Sequence, residues 1–126
     1  MIKILCIDDS EYIRSQLQKL FTPHNFTVLE ANDGLQGLEV IRANPDLKLI
    51  ICDVNMPAMD GITMCEKVKN ENLVPGVPIL ILTTETSVTL KAKGKVIGIT
   101  GWVNKPFHGD KLLATVQKLI SEPKAA

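Results

Sequence analysis

Three acidic side chains in this sequence follow directly on two short apolar segments. Asp8 and Asp9 come after the segment that starts at Ile2, and Asp53 comes after a segment that ends at Cys52. An aspartate after a strand is most often a turn former or a helix cap, so each one alone indicates little. If the two segments are neighbouring strands of one sheet, however, the carboxylates converge and repel one another. At about 4 Å and an effective dielectric constant near 20, one such pair costs on the order of 4 kcal/mol, so a cation is needed.

Residues at the ends of two further apolar segments could complete a reactive site. Thr83, Thr84 and Glu85 follow the fourth such segment of the chain, and Lys105 follows the fifth. Oxygen ligands match Mg²⁺ better than Zn²⁺, which favours the His or Cys side chains that this corner lacks. Lys105 would supply a second positive charge opposite Asp53. A carboxylate beside Mg²⁺, an ammonium group and a hydroxyl group indicates phosphoryl chemistry, in which the carboxylate is the nucleophile.

Five short segments of β-branched and aliphatic residues alternate with five segments of helical spacing. The predicted strands are Ile2–Ile7, Phe26–Leu29, Leu47–Cys52, Val77–Leu82 and Trp102–Val103. The apolar residues of the predicted helices form the sets Ile13, Leu17, Leu20, Phe21; Leu35, Leu38, Ile41; Ile62, Cys65, Val68; Val88, Ala92, Val96; and Leu112, Val116, Leu119, Ile120. Helix N-caps are predicted at Ser10, Asp33, Asp60 and Asp110, and helix stops or turns at Asn44-Pro45, Pro75-Gly76 and Gly98.

Strand and helix in strict alternation predict a parallel sheet with right-handed crossovers. We expect an α/β fold, a flavodoxin-like doubly wound five-stranded sheet in the order 2-1-3-4-5 with helices on both faces. In that order the first and third strands are neighbours, so the acidic residues meet at the switch point of the sheet. A closed eight-unit barrel would need about twice the length. Neither a GxGxxG turn nor a GxxxxGK[ST] loop is present, which disfavours nucleotide-binding versions of the fold.

Length and composition predict one domain, residues 1–126. The 14 basic and 14 acidic residues balance to a net charge of +0, which argues against a general nucleic-acid binder. The apolar N-terminal stretch is too short for a signal peptide or a membrane span, so we expect a cytoplasmic protein without a membrane partner. The spacing of Cys6, Cys52 and Cys65 fits no redox or zinc pattern, and it predicts buried free thiols.

Several of these residues form one recognisable pattern. It comprises Asp8-Asp9, the stretch DVNMPAMDG at residues 53–61, Thr83, and Lys105-Pro106-Phe107. Together they resemble a bacterial response-regulator receiver domain, and the match spans almost the whole chain. The DxNMPxMDG motif is highly specific in this context. The segments 83–85 and 101–107 are similar to those of the stand-alone chemotaxis regulators of the CheY type.

The resemblance implies a role for each acidic residue and for the lysine. Asp53 would be the phosphoacceptor. Asp9 and Asp53, with the backbone carbonyl of Asn55, would hold Mg²⁺, and Asp8 would act partly through water. Lys105 would pair with a phosphoryl oxygen, and its bond to the following proline would be cis.

The resemblance also implies a switch and a means of tuning it. Thr83 would bind the phosphoryl group and draw its loop inward, and Trp102 would be the aromatic residue whose rotamer follows Thr83. Asn55 and Glu85 would tune the hydrolysis of the acyl phosphate and the access of a phosphatase. Cys52 replaces the aromatic residue that the best-known chemotaxis members carry before the acceptor.

The fourth predicted helix carries features of an output surface. Gly94 and Gly98 weaken it, each by roughly 1 kcal/mol relative to Ala if interior, which suggests mobility. Its lysines, Lys91, Lys93 and Lys95, form either an ordinary solvated face or a docking site for an acidic or amphipathic partner along this helix and the fifth strand.

We expect a monomeric chemotaxis regulator rather than an enzyme, apart from catalysis of its own phosphorylation and dephosphorylation. A histidine kinase of the CheA type would phosphorylate it, and it would then bind the flagellar motor switch protein. Because only a short tail follows Ile120, no output domain is expected. The alternative is a phosphorelay intermediate that passes the phosphoryl group to a histidine phosphotransfer protein. A phosphohydrolase of the haloacid-dehalogenase kind is disfavoured, because it needs a second Asp at the position of Asn55.

Overall fold

The computed structural model describes residues 1–121, in which five strands alternate with five α-helices. The strands are β1 (Ile2–Ile7), β2 (Phe26–Ala31), β3 (Leu49–Cys52), β4 (Ile79–Thr83) and β5 (Gly101–Asn104). The helices are α1 (Glu11–Phe21), α2 (Gly34–Ala43), α3 (Gly61–Asn70), α4 (Val88–Ile97) and α5 (Gly109–Ser121), and a single 3₁₀ turn follows α1 at Thr22–His24. The short tail predicted after α5 lies mostly outside the described residues.

All four strand pairings are parallel, and the order is β2-β1-β3-β4-β5, which confirms the predicted flavodoxin-like fold. The existence of each strand was predicted correctly, but several ends were not. Strand β2 continues two residues beyond Leu29 because it pairs with β1 as far as Ala31 opposite Ile7. Strands β3 and β4 begin later than predicted. The residues before β4 include Pro78, which has no N–H for a ladder.

Two apolar cores lie on the two faces of the sheet. One is built on α1 and α5, with Leu17, Phe21, Leu112 and Val116 packed against Ile4 and Cys6 of β1, among other strand residues. The other is built on α2 and α3, with α4 contributing partly buried residues. Strands β3 and β4 are buried throughout, and β1 is buried from Ile4 to Ile7, as expected for a parallel sheet covered on both sides. The three cysteines are free and buried, as predicted.

Three of the four predicted helix N-caps are confirmed. The side chains of Ser10, Asp33 and Asp60 accept hydrogen bonds from backbone N–H groups in the first turns of α1, α2 and α3. The prediction that Asp110 caps α5 is wrong, because Asp110 lies inside the first turn of that helix. Its carboxylate there still complements the positive end of the helix dipole. Gly98 ends α4 with a left-handed φ of 95°, so it is a helix terminator and not an interior weakness.

Helix α4 has the predicted position but not the face that its spacing suggested. Val88 and Val96 are 80% and 86% exposed, so the set with Ala92 points to solvent. The contacts of α4 with the core come instead from Leu90, Gly94 and Ile97. Within residues 1–121, no helix is both long enough and apolar enough to span a membrane.

Candidate functional site

The register of the central strands brings the three predicted carboxylates together. Ile7 of β1 pairs with Cys52 of β3, so the next residue of each strand lies at the same edge of the sheet. The N–H of Asp53 donates to the carbonyl of Ile7 at 3.0 Å, which fixes the turn after β3. Carboxylate oxygens of Asp8, Asp9 and Asp53 all lie within 4.8 Å of one another. Asp8 and Asp53 are buried and Asp9 is exposed, so the cluster opens to solvent on one side.

Lys105 crosses from the end of β5 to this cluster. Its Nζ donates to Asp8 Oδ2 at 2.6 Å and to Asp53 Oδ2 at 2.9 Å. The backbone N–H of Lys105 also donates to the carbonyl of Thr83 at 2.9 Å, so the base of the side chain is anchored to β4. The Lys105-Pro106 bond is cis, as predicted. The predicted contact with Asp53 is confirmed, and the shorter contact with Asp8 is new.

The cluster contains more negative charge than one lysine neutralises. Burial raises the pKa of Asp8 above its ordinary value, although hydrogen bonds from Lys105 and from the Ser10 N–H work in the opposite direction. The nearby charge of Asp53 raises it further. Burial alone would lower the pKa of Lys105, but its two hydrogen-bonded carboxylates outweigh that effect and raise the pKa. The ammonium therefore stays charged, and Asp8 carries an unfavourable charge.

The donor set fits a hard divalent cation. Three carboxylates within reach of one point, with one of them exposed, supply oxygen ligands only and leave space for water. The predicted fourth ligand, the backbone carbonyl of Asn55, belongs to the segment that leaves β3 next to Asp53. No His or Cys belongs to the cluster among the described residues, which disfavours Zn²⁺.

The loop after Asp53 is held tightly at both ends. The Oδ1 atom of Asp53 accepts from the Val54 N–H at 2.7 Å, while Oδ2 faces Lys105. The N–H of Gly61 donates to the carbonyl of Val54 at 2.9 Å. A side chain at Gly61 would collide with the carbonyl oxygen of Asp53, so only glycine fits there. The DxNMPxMDG motif thus ends in glycine because the loop folds back onto Asp53.

Thr83 and Trp102 both contact the peptide groups of Glu85. Thr83 is fully buried at the end of β4, and its hydroxyl oxygen accepts from the Glu85 N–H at 3.1 Å. The indole Nε1–H of Trp102 donates to the Glu85 carbonyl at 3.2 Å. Sequence reasoning named all three residues but missed that Glu85 joins the other two through its backbone. Backbone contacts of this kind leave no mark in residue type.

Asn55 and Glu85 meet at the open side of the site. The amide Nδ2 of Asn55 donates to Glu85 Oε2 at 3.5 Å, a long hydrogen bond between exposed and half-buried side chains. Both were predicted to tune the hydrolysis of an acyl phosphate from different loops, and the structure brings the two side chains into contact.

The three lysines of α4 have different surroundings. The Nζ atom of Lys91 lies 5.8 Å from the ring centroid of Trp102, within cation–π distance. Lys93 forms an ion pair of 3.3 Å with Glu66 of α3. Lys95 is exposed in the last turn of the helix. Only Lys91 therefore touches a residue of the predicted switch.

Comparison with known proteins gives a consistent set of relatives. A family model described as "Response regulator receiver domain" matches residues 4–117. Sensor histidine kinase CheAY of Helicobacter pylori is 33% identical over 118 residues, which cover 93% of this chain and 15% of the kinase. Response regulator MprA of Mycobacterium leprae is 32% identical over 98% of this chain and 53% of MprA, so the chain spans about half or less of these two relatives. Protein PilG of Pseudomonas aeruginosa is 31% identical over 92% of this chain and 85% of PilG.

Solved structures agree with the fold and with the family. Chemotaxis protein CheY4 of Vibrio cholerae superimposes with a TM-score of 0.87 at 39% identity, over 94% of this chain and 98% of that one. A CheY-like receiver domain protein of Methanospirillum hungatei gives a TM-score of 0.89 over 95% of this chain and 94% of that one, but at 23% identity it supports the fold alone. Because the family match covers most of the chain and includes both acidic strand ends and Lys105, this protein belongs to the response regulator receiver domain family.

Proposed function

We propose that this receiver domain accepts a phosphoryl group on Asp53 and that the modification switches the binding of a partner. The observation that carries the proposal is the lysine bridge, in which Lys105 Nζ contacts Asp8 at 2.6 Å and Asp53 at 2.9 Å inside a cluster of three carboxylates. An ion pair that served stability alone would need one carboxylate beside the lysine, and this site has three. The arrangement suits a site where another multiply charged group is to be bound.

The reaction would be a transfer from the phosphohistidine of a histidine kinase. An oxygen of Asp53 attacks phosphorus, a P–O bond forms and the P–N bond breaks. The departing imidazole nitrogen keeps the electron pair of that bond and takes up a proton. Lys105, which the site already holds 2.9 Å from the acceptor carboxylate, would pair with a phosphoryl oxygen.

The residues predicted to hold Mg²⁺ are compatible with this reaction. Asp9, Asp53 and the carbonyl of Asn55 would hold Mg²⁺, and Asp8 would contribute partly through water. When bound, the ion supplies positive charge that offsets the repulsion between the carboxylates and the incoming phosphoryl oxygens.

The switch would run through the Glu85 backbone. If Thr83 turns its hydroxyl toward a phosphoryl oxygen, it no longer accepts from the Glu85 N–H, and the loop loses one of its ties. The same peptide segment carries the carbonyl that holds the Trp102 indole. A change at the phosphorylation site would thereby reach an aromatic residue next to the α4 surface. Asn55 and Glu85, in contact over the site, would tune hydrolysis and phosphatase access.

We infer that the output is chemotaxis-type signalling in the cytoplasm, with a CheA-type histidine kinase upstream and the flagellar motor switch protein downstream. The likeness to CheY4 of Vibrio cholerae, at 39% identity over nearly its full length, supports this assignment. A phosphorelay role remains the second candidate. It is favoured by the likeness to CheAY, a sensor histidine kinase in which the matching region makes up 15% of the protein.

Intact-mass measurement tests the phosphorylation proposal. Incubation with Mg²⁺ and a small acyl phosphate donor should add one phosphoryl group to the wild type and none to Asp53→Asn. Asp46→Asn, an exposed aspartate in a surface ion pair, serves as the control and should be labelled like the wild type. Equal labelling of Asp53→Asn and the wild type would refute the assignment of the acceptor.

Binding measurements separate the two outputs. The phosphorylated protein is mixed in turn with motor switch protein and with histidine phosphotransfer proteins from the same organism. The motor assignment predicts tighter binding to the switch protein after phosphorylation. Rapid loss of the phosphoryl group to a phosphotransfer protein, without binding to the motor, would establish the relay instead.

A further inference from the structure

An arginine of α1 forms a hydrogen bond to the backbone of the turn that carries Asp8 and Asp9. The guanidinium Nη1 of Arg14 in α1 donates to the backbone carbonyl of Asp8 at 2.6 Å. The Arg14 side chain is 16% exposed, so this charge-assisted bond is largely shielded from water. No function considered above uses this residue.

The Asp8 carbonyl that Arg14 holds determines the direction in which the Asp9 side chain projects. The carbonyl of Asp8 and the N–H of Asp9 belong to one planar peptide unit, so a fixed carbonyl fixes the plane from which Asp9 projects. Asp8 itself has further ties, because its N–H donates to the Ala31 carbonyl at 3.0 Å and its Oδ1 accepts from the Ser10 N–H at 2.9 Å. Among residues 1–121, none donates a hydrogen bond to the carboxylate of Asp9. Its orientation therefore depends on the backbone that Arg14 holds.

Arg14 is in turn oriented from β2. Its Nε donates to Glu30 Oε1 at 3.0 Å, and the other oxygen of Glu30 accepts from Gln18 Nε2 at 3.0 Å. Gln18 also donates to the Val28 carbonyl at 2.9 Å. The result is a continuous chain of hydrogen bonds from the edge strand to the peptide between Asp8 and Asp9.

We propose that Arg14, oriented by Glu30, is a positioning residue that sets Asp9 for binding of the divalent cation. The inference rests on the proposed function, since it concerns the same metal site. It adds two residues that lie outside the site cluster and that are not among the residues on which the family resemblance was based.

Charge and position predict opposite effects for this residue. Arg14 is a cation near a cation site, so removal of its charge alone would strengthen Mg²⁺ binding. Loss of its grip on the Asp8 carbonyl would instead weaken binding, because the turn then samples other orientations of Asp9. Arg14→Lys keeps the charge and removes the planar fork that bonds Glu30 and the carbonyl together.

The test is the Mg²⁺ dissociation constant, measured by calorimetry on the unphosphorylated protein, with the urea unfolding curve of each variant recorded in EDTA. We expect Arg14→Lys and Arg14→Gln to weaken Mg²⁺ binding by about tenfold, the lower end of the range for residues that orient metal ligands. Glu30→Ala should weaken binding in the same direction by less. Added to Arg14→Lys, it should have little further effect, since the two residues act as one unit.

The control is Arg42→Lys, which changes an exposed Arg–Glu pair between α2 and the end of α3, with Arg42 Nη2 at 2.9 Å from Glu71 Oε1. It should leave the dissociation constant unchanged. Wild-type affinity in Arg14→Lys, or tighter binding in Arg14→Gln, overturns the inference while leaving the proposed function intact. If Arg14→Lys does not fold, Glu30→Ala decides in its place. A wild type that takes up no Mg²⁺ would refute the proposed function itself.

Discussion

Asp8 is the residue where stability and function conflict most directly. It is 2% exposed, faces Asp53 and shares one lysine with it, and its pKa is raised chiefly by burial. A buried carboxylate with a raised pKa is less stable as an anion in the folded chain than in the unfolded one. The metal-free protein therefore carries strain that a bound cation would relieve.

Asp8→Asn should stabilise the metal-free protein, because it removes a buried negative charge and leaves Lys105 to pair with Asp53. We expect the melting temperature in EDTA to rise by about 3–5 °C, which is about 1 kcal/mol in a domain of this size. The same variant should lose most of the rise in melting temperature that Mg²⁺ gives the wild type. The control is Asp46→Asn, whose exposed carboxylate has a pKa lowered by its hydrogen bond from Lys3 and whose loss should give no gain. A variant less stable than the wild type would contradict the account.

The gain from Asp8→Asn should depend on pH with a definite sign. At a pH between 3.8, the ordinary pKa of an aspartate, and the raised pKa of Asp8 in the folded chain, the folded chain keeps a proton that the unfolded chain has released. Wild-type stability from this group therefore falls as the pH rises through that window, and Asp8→Asn lacks the loss. Urea unfolding in EDTA should show a larger gap between variant and wild type at neutral pH than at about pH 4. A gap that is constant over this range would mean that Asp8 is not the titrating group.

At the scale of elements, the loop between β3 and α3 keeps one residue in an uncommon conformation. Ala58 has a φ of 64°, and the N–H of Met59 donates to the Pro57 carbonyl at 2.6 Å, two residues back. Such a tight turn at a residue other than glycine is strained. The loop connects Asp53, the proposed acceptor, to the cap of α3, so the strain lies within the proposed site.

Ala58→Gly should relieve this strain. We expect the free energy of unfolding to increase by about 0.5–1 kcal/mol, since glycine adopts positive φ without penalty. The matched control is Ala92→Gly, the same chemical change at an exposed position inside α4, which should destabilise by about 1 kcal/mol. Opposite signs in urea unfolding would support the account, and destabilisation by both changes would contradict it.

The proposed path from Asp53 to α4 is also an element-scale property, because it runs through the one loop that contains Glu85. Thr83→Ala removes the acceptor for the Glu85 N–H without touching Asp53 or Lys105. We expect this variant to accept the phosphoryl group but to lose most of the change in Trp102 fluorescence that accompanies phosphorylation. Trp102 is the only tryptophan of the chain, so the signal has one source. A full fluorescence response in Thr83→Ala would exclude this route.

At the scale of the whole molecule, the sequence predicted the architecture because each level of the pattern agreed. The apolar segments had strand length, three of the four predicted caps stood where helices begin, and the acidic residues fell at strand ends of a parallel sheet, where such folds bind ligands. The strand ends then predicted that the positive charge of Lys105 lies opposite Asp53, and the structure confirms this placement. Residue type carries this information because only carboxylates and an ammonium can make that contact.

Other features could not be predicted because they depend on which side of a helix meets the core. The set Val88, Ala92 and Val96 has helical spacing, yet the backbone direction of α4 turns it to solvent and buries Gly94 instead. The hydrogen bond from Arg14 to the Asp8 carbonyl could not be predicted either, since a backbone acceptor has no sequence signature.

The most direct test of the central claim is the position of the acyl phosphate. After phosphorylation in the presence of Mg²⁺, reduction with borohydride converts a phosphorylated aspartate to homoserine, and digestion with mass spectrometry locates it. The account predicts homoserine at position 53 and at no other aspartate. Homoserine at another position, or a labelled protein that yields none, would contradict it.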